Sequence, residues 1–217
     1  MGLEQQLAAF KAEFARTAPA ARVALYEAKI EELRAGFALD AAVGVGDEAP
    51  DFALPDVHGK SVSLFDLLRR GPVVVSFYRG GWCPYCNIQL RAYQAALPQI
   101  TGLGGRLVAI SPQRPDGSLS TADANALTFD VLSDVGNPAA RRFGLVYALP
   151  EELREALRAN NKALPQINGD ESWELPVPAT FVVAPDRRIA LAHVDVDYRK
   201  RLEPEAILAV LASLRPA

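Results

Sequence analysis

The sequence predicts a mixed α/β domain preceded by a helical segment, and three features carry that prediction. Short apolar runs bounded by glycine or proline alternate with stretches of helical periodicity, as in a sheet covered by helices. Residues 1–42 have only helical patterning. A chain of 217 residues that is 50% hydrophobic and 23% charged can build one good core and is short for two.

Leu3, Leu7, Phe10 and Phe14 recur at helical spacing, and Val23, Tyr26, Ile30, Leu33 and Phe37 repeat the pattern after a break at Thr17 and Pro19, with Gly36 as a stop. Both apolar faces need cover, either from the body of the same chain or from a second copy in a homodimer. Residues 1–42 are therefore set apart as an N-terminal helical extension from a domain over 43–217. From Val43 the pattern changes to strands: a hairpin over 51–54 and 61–64 about the turn Asp56-Val57-His58-Gly59-Lys60, then runs at 72–78, 106–111 and 180–184 that suit central strands buried on both faces. Between them, Cys86, Leu90, Tyr93, Leu97 and Ile100 make one helical stripe, and 121–127 and 138–143 read as shorter helices. A polar insertion spans 145–176, with a helix over 151–160 and an exposed loop Asn168-Gly169-Asp170-Glu171. A strand at 189–194 pairs antiparallel with its predecessor across Pro185-Asp186-Arg187-Arg188, and a helix over 204–214 closes the chain.

The charges nearly cancel, 23 basic against 26 acidic, which argues against nucleic acid or an acidic membrane surface as partner. Met1-Gly2-Leu3-Glu4-Gln5-Gln6 lacks the pattern of a secretion signal, and Gln6 stands where myristoylation requires Ser or Thr. No apolar stretch approaches the roughly 20 residues of a membrane span. A cytoplasmic protein is the expectation.

The two cysteines, Cys83 and Cys86, are too few for a disulfide framework and act as a pair. They lie in Phe77-Tyr78-Arg79-Gly80-Gly81-Trp82-Cys83-Pro84-Tyr85-Cys86, which runs from a buried strand through a glycine turn into a helix. With Pro84 as first helical residue, Cys83 becomes the N-cap and Cys86 the third residue of the helix. Unpaired backbone donors and the helix dipole then favour a Cys83 thiolate, and Arg79 adds to this if it turns toward the sulfur. Residues three apart on a helix lie about 5–6 Å apart at Cβ, so a small adjustment brings the sulfurs to bonding distance. A stabilising staple is a weak alternative, because closing so short a loop contributes about 2 kcal/mol at best. Zinc would need two more ligands, and His58 and His193 lack the spacing of a structural site. No metal or other cofactor is called for.

These residues resemble the peroxiredoxins of the alkyl hydroperoxide reductase and thiol-specific antioxidant family, over roughly residues 43 to 200. The resemblance rests on Val45-Gly46-Asp47-Glu48-Ala49-Pro50-Asp51-Phe52, the strand and Cys83 loop, Val108-Ala109-Ile110-Ser111-Pro112, Leu132-Ser133-Asp134 leading to Phe143-Gly144, and Ala179-Thr180-Phe181-Val182-Val183. It implies a thioredoxin-like fold, a peroxiredoxin-type mixed sheet flanked by helices, and it is similar to the branch that carries a Cys-x-x-Cys pair. Two family features are missing. The hydroxyl-bearing position of Pro-x-x-x-Thr/Ser-x-x-Cys is Gly80, with Ser76 in place of the proline, and the arginine before the Thr-Phe strand is replaced by Pro178. Val177-Pro178-Ala179-Thr180 looks like the cis-proline loop of thioredoxins, and the sequence permits a cis bond there. Trp82-Cys83-Pro84-Tyr85-Cys86 looks like a thioredoxin or glutaredoxin centre.

Three functions follow. As a thiol peroxidase acting on hydrogen peroxide or organic hydroperoxides, the Cys83 thiolate would become a sulfenic acid, Cys86 would condense with it to a disulfide, and a thioredoxin- or glutaredoxin-type donor would reset the pair. Arg79 and the helix-start amides would stabilise the leaving oxygen, with Thr180 a weaker candidate. A thiol-disulfide oxidoreductase acting on protein or small disulfides is the alternative, supported by Cys83-Pro84-Tyr85-Cys86, Trp82 and Pro178, with Pro178 shaping the substrate groove. A redox sensor is the third. Arg199-Lys200-Arg201 and Glu151-Glu152 read as solvated faces, while Asp195, Asp197 and Tyr198 follow the last strand without being placed by it.

Overall fold

A computed structural model describes residues 1–215. Helices α1 (Leu3–Thr17) and α2 (Ala20–Gly36) are separated by Ala18 and Pro19 in extended conformation, as the break at Thr17 requires. A short hairpin follows, β1 (Ala53–Pro55) antiparallel to β2 (Ser61–Ser63), and Ser63 caps α3 (Leu64–Leu68) by accepting from the Asp66 amide at 3.3 Å.

Then come β3 (Val73–Phe77), α4 (Pro84–Gly102), β4 (Arg106–Ser111), α5 (Pro115–Ala124) and β5 (Asp130–Ser133). The insertion adds α6 (Pro138–Arg142), β6 (Val146–Ala148), α7 (Glu151–Arg158), α8 (Leu164–Asn168) and β7 (Glu174–Pro176), before β8 (Ala179–Val183), β9 (Ile189–Val194) and α9 (Pro204–Ser213). The main sheet has the order β5-β4-β3-β8-β9, with β3, β4 and β5 parallel and β8 and β9 antiparallel to their neighbours. All five residues of β3 and of β8 are buried, which is why both read as unbroken apolar runs.

Three expectations need correction. The helix placed at 121–127 starts at Pro115, whose ring presets the first turn after extended Arg114, and ends before Ala126, whose φ is +50°. The insertion is polar only outside: Leu149, Leu157, Leu164, Trp173 and Leu175 form a small core of their own, closed by the pairing of β6 with β7. Asn168, placed in an exposed loop, is 3% exposed, whereas Gly169 and Glu171 are exposed as expected.

The sheet separates two cores. One lies under α3, α6 and the hairpin, with Phe77, Phe143 and Phe181 in mutual ring contact. The other lies under α4 and α9 and takes in Leu3 and Leu7 of α1. Glu203, just before α9, accepts hydrogen bonds from the Leu3 and Glu4 amides at 3.1 and 2.6 Å, satisfying the orphan donors at the start of α1 from the far end of the chain. Leu3 and Leu7 of α1 are thus covered by their own chain, while Phe10 and Phe14 are only partly buried. Among the described residues, no helix is long and apolar enough to cross a membrane.

Candidate active site

The site is built where β3 ends. The Tyr78 amide still donates to Ile110 O at 2.9 Å, and beyond it the chain leaves the sheet through Arg79-Gly80-Gly81-Trp82. Gly80 has φ +138°, and a side chain there would collide with the Trp82 indole; one at Gly81 would collide with the Thr121 hydroxyl. Side chains from α4 and from the loop after β4, with one backbone bond, fix this turn. The Gly81 amide donates to Gln113 Oε1 at 2.6 Å, Asn87 Nδ2 donates to Gly81 O at 2.8 Å, and the Cys83 amide donates to Gly80 O at 3.1 Å. Helix α4 then begins at Pro84 with Cys83 as N-cap, in the extended conformation of φ −95° and ψ 114°.

Both thiols are free and buried, Cys83 at 2% exposure and Cys86 at 0%. Their environments nevertheless drive them apart. The neighbouring Cys86 thiol, as a proton donor, and the positive charges of Arg79 and Arg201 hold Cys83 well below the usual thiol range despite its burial. Cys86 is raised well above that range by burial, by the hydrogen bond it gives Cys83, and by the charge on Cys83, with Arg201 and Arg79 opposing. In the reduced pair, therefore, Cys83 carries the charge and Cys86 the proton.

Arg79 is 6% exposed and is sandwiched by aromatic rings, its guanidinium carbon 4.9 Å from the Trp82 centroid and 4.1 Å from that of Tyr198. Its Nε is buried without a partner, and among the described residues it forms no ion pair. Arg79 and Cys83 line the same cavity, and the charge of Arg79 favours the thiolate. Tyr85 packs edge-on against both Phe10 of α1 (5.0 Å) and Tyr198 (5.6 Å), so it docks the N-terminal helix onto the site. Trp82 is half-buried and carries a second cation, Lys162, 5.7 Å from its ring.

The remaining candidates lie elsewhere. The Thr180 hydroxyl is engaged beneath α4 with Tyr93 Oη (3.1 Å), Gln89 Nε2 (3.3 Å) and Ser76 Oγ (3.5 Å), and the Tyr93 hydroxyl donates on to Leu202 O at 3.0 Å. That network braces α4 against β8. Pro178 is buried next to Ala179, which pairs with Phe77, so it sits at the same sheet end as the cysteine loop. Its bond to Val177 is trans, not cis; a buried trans proline on the way into β8 does not reproduce the thioredoxin loop.

The basic run was misread. Only Lys200 is solvated: Arg199 grips Asp197 (2.7 Å) and Glu27 of α2 (2.5 Å), and Arg201 is 8% exposed with its Nη2 3.5 Å from Cys86 Sγ. Proximity to Cys86 is set by the return of the chain after β9, which leaves no trace in local patterning. Gln113 and Asn87 were missed for the same reason.

Cys83, Arg79, Trp82, Tyr85 and Tyr198 face a cavity of about 400 Å³. Its other walls are the inner faces of α1 and α2, through Phe14, Val23 and Ile30, and the insertion, through Tyr147 and Leu153. A thiolate in such a place, beside cations and oriented amides, can attack an electrophilic oxygen or sulfur that enters from the cavity. Among the described residues no three His, Cys, Asp or Glu side chains cluster as metal ligands do.

Residues 45–192 match the model of the AhpC/TSA family. A Mycobacterium tuberculosis protein named as a peroxiredoxin is 42% identical over 89 residues, 41% of this chain; the chain spans 56% of that relative's length. The chloroplastic peroxiredoxin Q of Populus jackii is 30% identical over 147 residues, 62% of this chain and 68% of its own. The crystal structure of peroxidoxin BcpB from Mycobacterium tuberculosis superposes with a TM-score of 0.63 at 23% identity, covering 80% of this chain and 99% of that one, which establishes the thioredoxin-like fold.

Proposed function

The chain belongs to the AhpC/TSA family, and from that premise we propose that it is a thiol peroxidase with Cys83 as nucleophile and Cys86 as resolving thiol. The observation that carries this reading is the placement of the pair: Cys83 is the N-cap of α4 and faces the cavity beside Arg79, while Cys86 lies one turn behind it, out of the cavity. The Cys83 thiolate attacks the terminal peroxide oxygen; the O–O bond breaks, Cys83 becomes a sulfenic acid, and the leaving oxygen departs as water or an alcohol after taking up a proton. Arg79, with its unpartnered Nε, and the amides at the start of α4 stabilise the charge developing on that oxygen. Trp82 and Tyr198 hold Arg79 in place, Pro84 and Tyr85 set the helix start, and Pro178 and Thr180 support the sheet end and α4 from below. Cys86 then closes the disulfide, and a thiol donor of the thioredoxin or glutaredoxin type reopens it.

The cavity is far larger than hydrogen peroxide needs, which supports organic hydroperoxides as substrates beside it. Its outer wall is residues 1–42, lying outside the family match, so we take these as an extension that shapes the site and 43–217 as the domain that carries the chemistry.

Stopped-flow tryptophan fluorescence of the prereduced protein, mixed with hydrogen peroxide or cumene hydroperoxide, tests the reading through Trp82. Oxidation much faster than that of a free thiol, and absent in Cys83→Ser, is the expected result. Disulfide exchange is the second reading, favoured by Cys-Pro-Tyr-Cys at a helix start. Oxidation by peroxide no faster than a free thiol, with rapid exchange against a disulfide, would put it first.

A further inference from the structure

Arg201 occupies a position that the attack on peroxide does not require. It is buried, it lies outside the family match, and neither it nor Cys86 lines the cavity. Its Nη1 donates to Lys200 O at 3.0 Å, its Nη2 points at Cys86 Sγ at 3.5 Å, and its Nε has no partner. Among the described residues it forms no ion pair. A buried guanidinium without a carboxylate is costly, and the acceptor it does have, a neutral thiol, is a weak one. A thiolate at Cys86 would be the matching partner.

We propose that Arg201 is the catalytic group for disulfide closure: it stabilises the Cys86 thiolate that attacks oxidised Cys83. The proposal rests on the peroxidase reading. In the reduced pair, the groups facing Cys86 are Cys83, Arg79, Arg201, Tyr78 and Tyr147. Burial and the charged sulfur of Cys83 keep Cys86 protonated there, against Arg201 and Arg79. Once Cys83 is a neutral sulfenic acid, the negative charge and the strong acceptor for the Cys86 proton are both gone. Burial remains, and so do the two cations. The first oxidation thus turns the local field in favour of a charged Cys86, with Arg201 in contact with the sulfur that must carry the charge. The Cys86 thiolate attacks the Cys83 sulfur, the S–S bond forms and the S–O bond breaks. Hydroxide leaves and takes up the proton that Cys86 released, giving water. The two sulfurs end at the same oxidation level, so no oxidant beyond the original peroxide is needed.

The test is rapid-quench oxidation of the full-length protein by one equivalent of hydrogen peroxide, with dimedone trapping of sulfenate and mass spectrometry of the disulfide, over a range of pH. Wild type, Arg201→Met and Arg201→Lys are compared. In Arg201→Met, closure should slow at least tenfold, trapped sulfenate should accumulate, and the pH profile of closure should move to higher pH; Arg201→Lys, which keeps the charge, should recover most of the rate. Closure in Arg201→Met at the wild-type rate and pH profile overturns the proposal alone, as does a lysine variant as slow as the methionine one. A Cys86→Ser protein, in which no disulfide can compete, that forms no trappable sulfenate overturns the peroxidase reading and the proposal with it. A second measurement keeps Arg201 in place: Cys86 in Cys83→Ser, titrated by thiolate absorbance, should ionise at least one pH unit below Cys86 in the wild type. An unchanged titration would show that relief of the Cys83 charge does not release Cys86, and would equally overturn the proposal.

Discussion

The two faces of the first turn of α4 hold the same functional group in opposite states. On the cavity side, Cys83 caps the start of α4, with the Cys86 thiol and an aromatic-bound cation beside it. One turn along, Cys86 lies fully buried behind the cavity, with Arg201 Nη2 3.5 Å from its sulfur. Burial is nearly equal on the two sides. The difference lies in which sulfur has a neighbouring thiol donor and cations in its favour, and which has burial and the charge of Cys83 against it.

Exchanging the sulfurs one at a time is the most drastic way to break that asymmetry. Cys83→Ser should lose peroxide consumption by about a thousandfold or more, whereas Cys86→Ser should still oxidise once, at near the wild-type rate, and stop at the sulfenic acid, as judged by dimedone adducts. Equal losses in both would mean that Cys86 shares the first step.

Displacing the loop beneath the asymmetry comes next. Gly81→Ala would push a methyl into Thr121, and the loop can move only by losing its bonds to Gln113 and Asn87. A loss of about 1–3 kcal/mol is expected, seen as a thermal midpoint several degrees lower, with part of it restored by Thr121→Ala.

Removing the cavity-side cation sharpens the comparison. Because the Cys83 thiol is depressed, its charged form is complete above its own pKa and is lost as pH falls through it. Alkylation by iodoacetamide should therefore be flat through neutral pH and fall only in acid, unlike a free thiol, which is still gaining thiolate up to about pH 8.5. Arg79→Met should move the acid limb upward, by about tenfold in rate on that limb for each pH unit. An unmoved limb would leave the Cys86 thiol and the Arg201 charge as the causes.

The smallest effect belongs to the tie between α2 and the body. Glu27→Gln leaves Arg199 its bond to Asp197, and Glu27 is partly solvated, so a loss of about 0.5–1 kcal/mol in chemical denaturation is expected. A larger loss would show that the N-terminal helices close the cavity cooperatively with the rest of the fold.

Much of this was legible in the chain alone. Short runs at β3, β4, β8 and β9 and the stripe along α4 show their periods because each element's burial is uniform along one face or both. Cys83 as N-cap followed from Pro84, since a proline at the first helical position leaves one register for the cysteines. The start of α5 and the four residues of β5 were not legible, because short elements carry too few positions to show a period. Thr180 illustrates a different limit. Its place on a buried strand is written in the sequence, but its hydroxyl is engaged by α4, a partner 87 to 91 residues away.

What the sequence determined by itself is therefore local: a thiol at a helix start, a second thiol one turn on, and a tight glycine turn that only small residues can make. Tertiary structure decided everything that depends on chain segments meeting. It brought Arg201 and Tyr198 back from beyond β9, one to the Cys86 sulfur and the other onto Arg79, and it laid α1 and α2 over Cys83 to enclose the cavity. The physical reason is range. Helix caps and turns are set by neighbours a few residues apart, whereas the charge state of a buried sulfur depends on which cations and donors the whole fold leaves beside it.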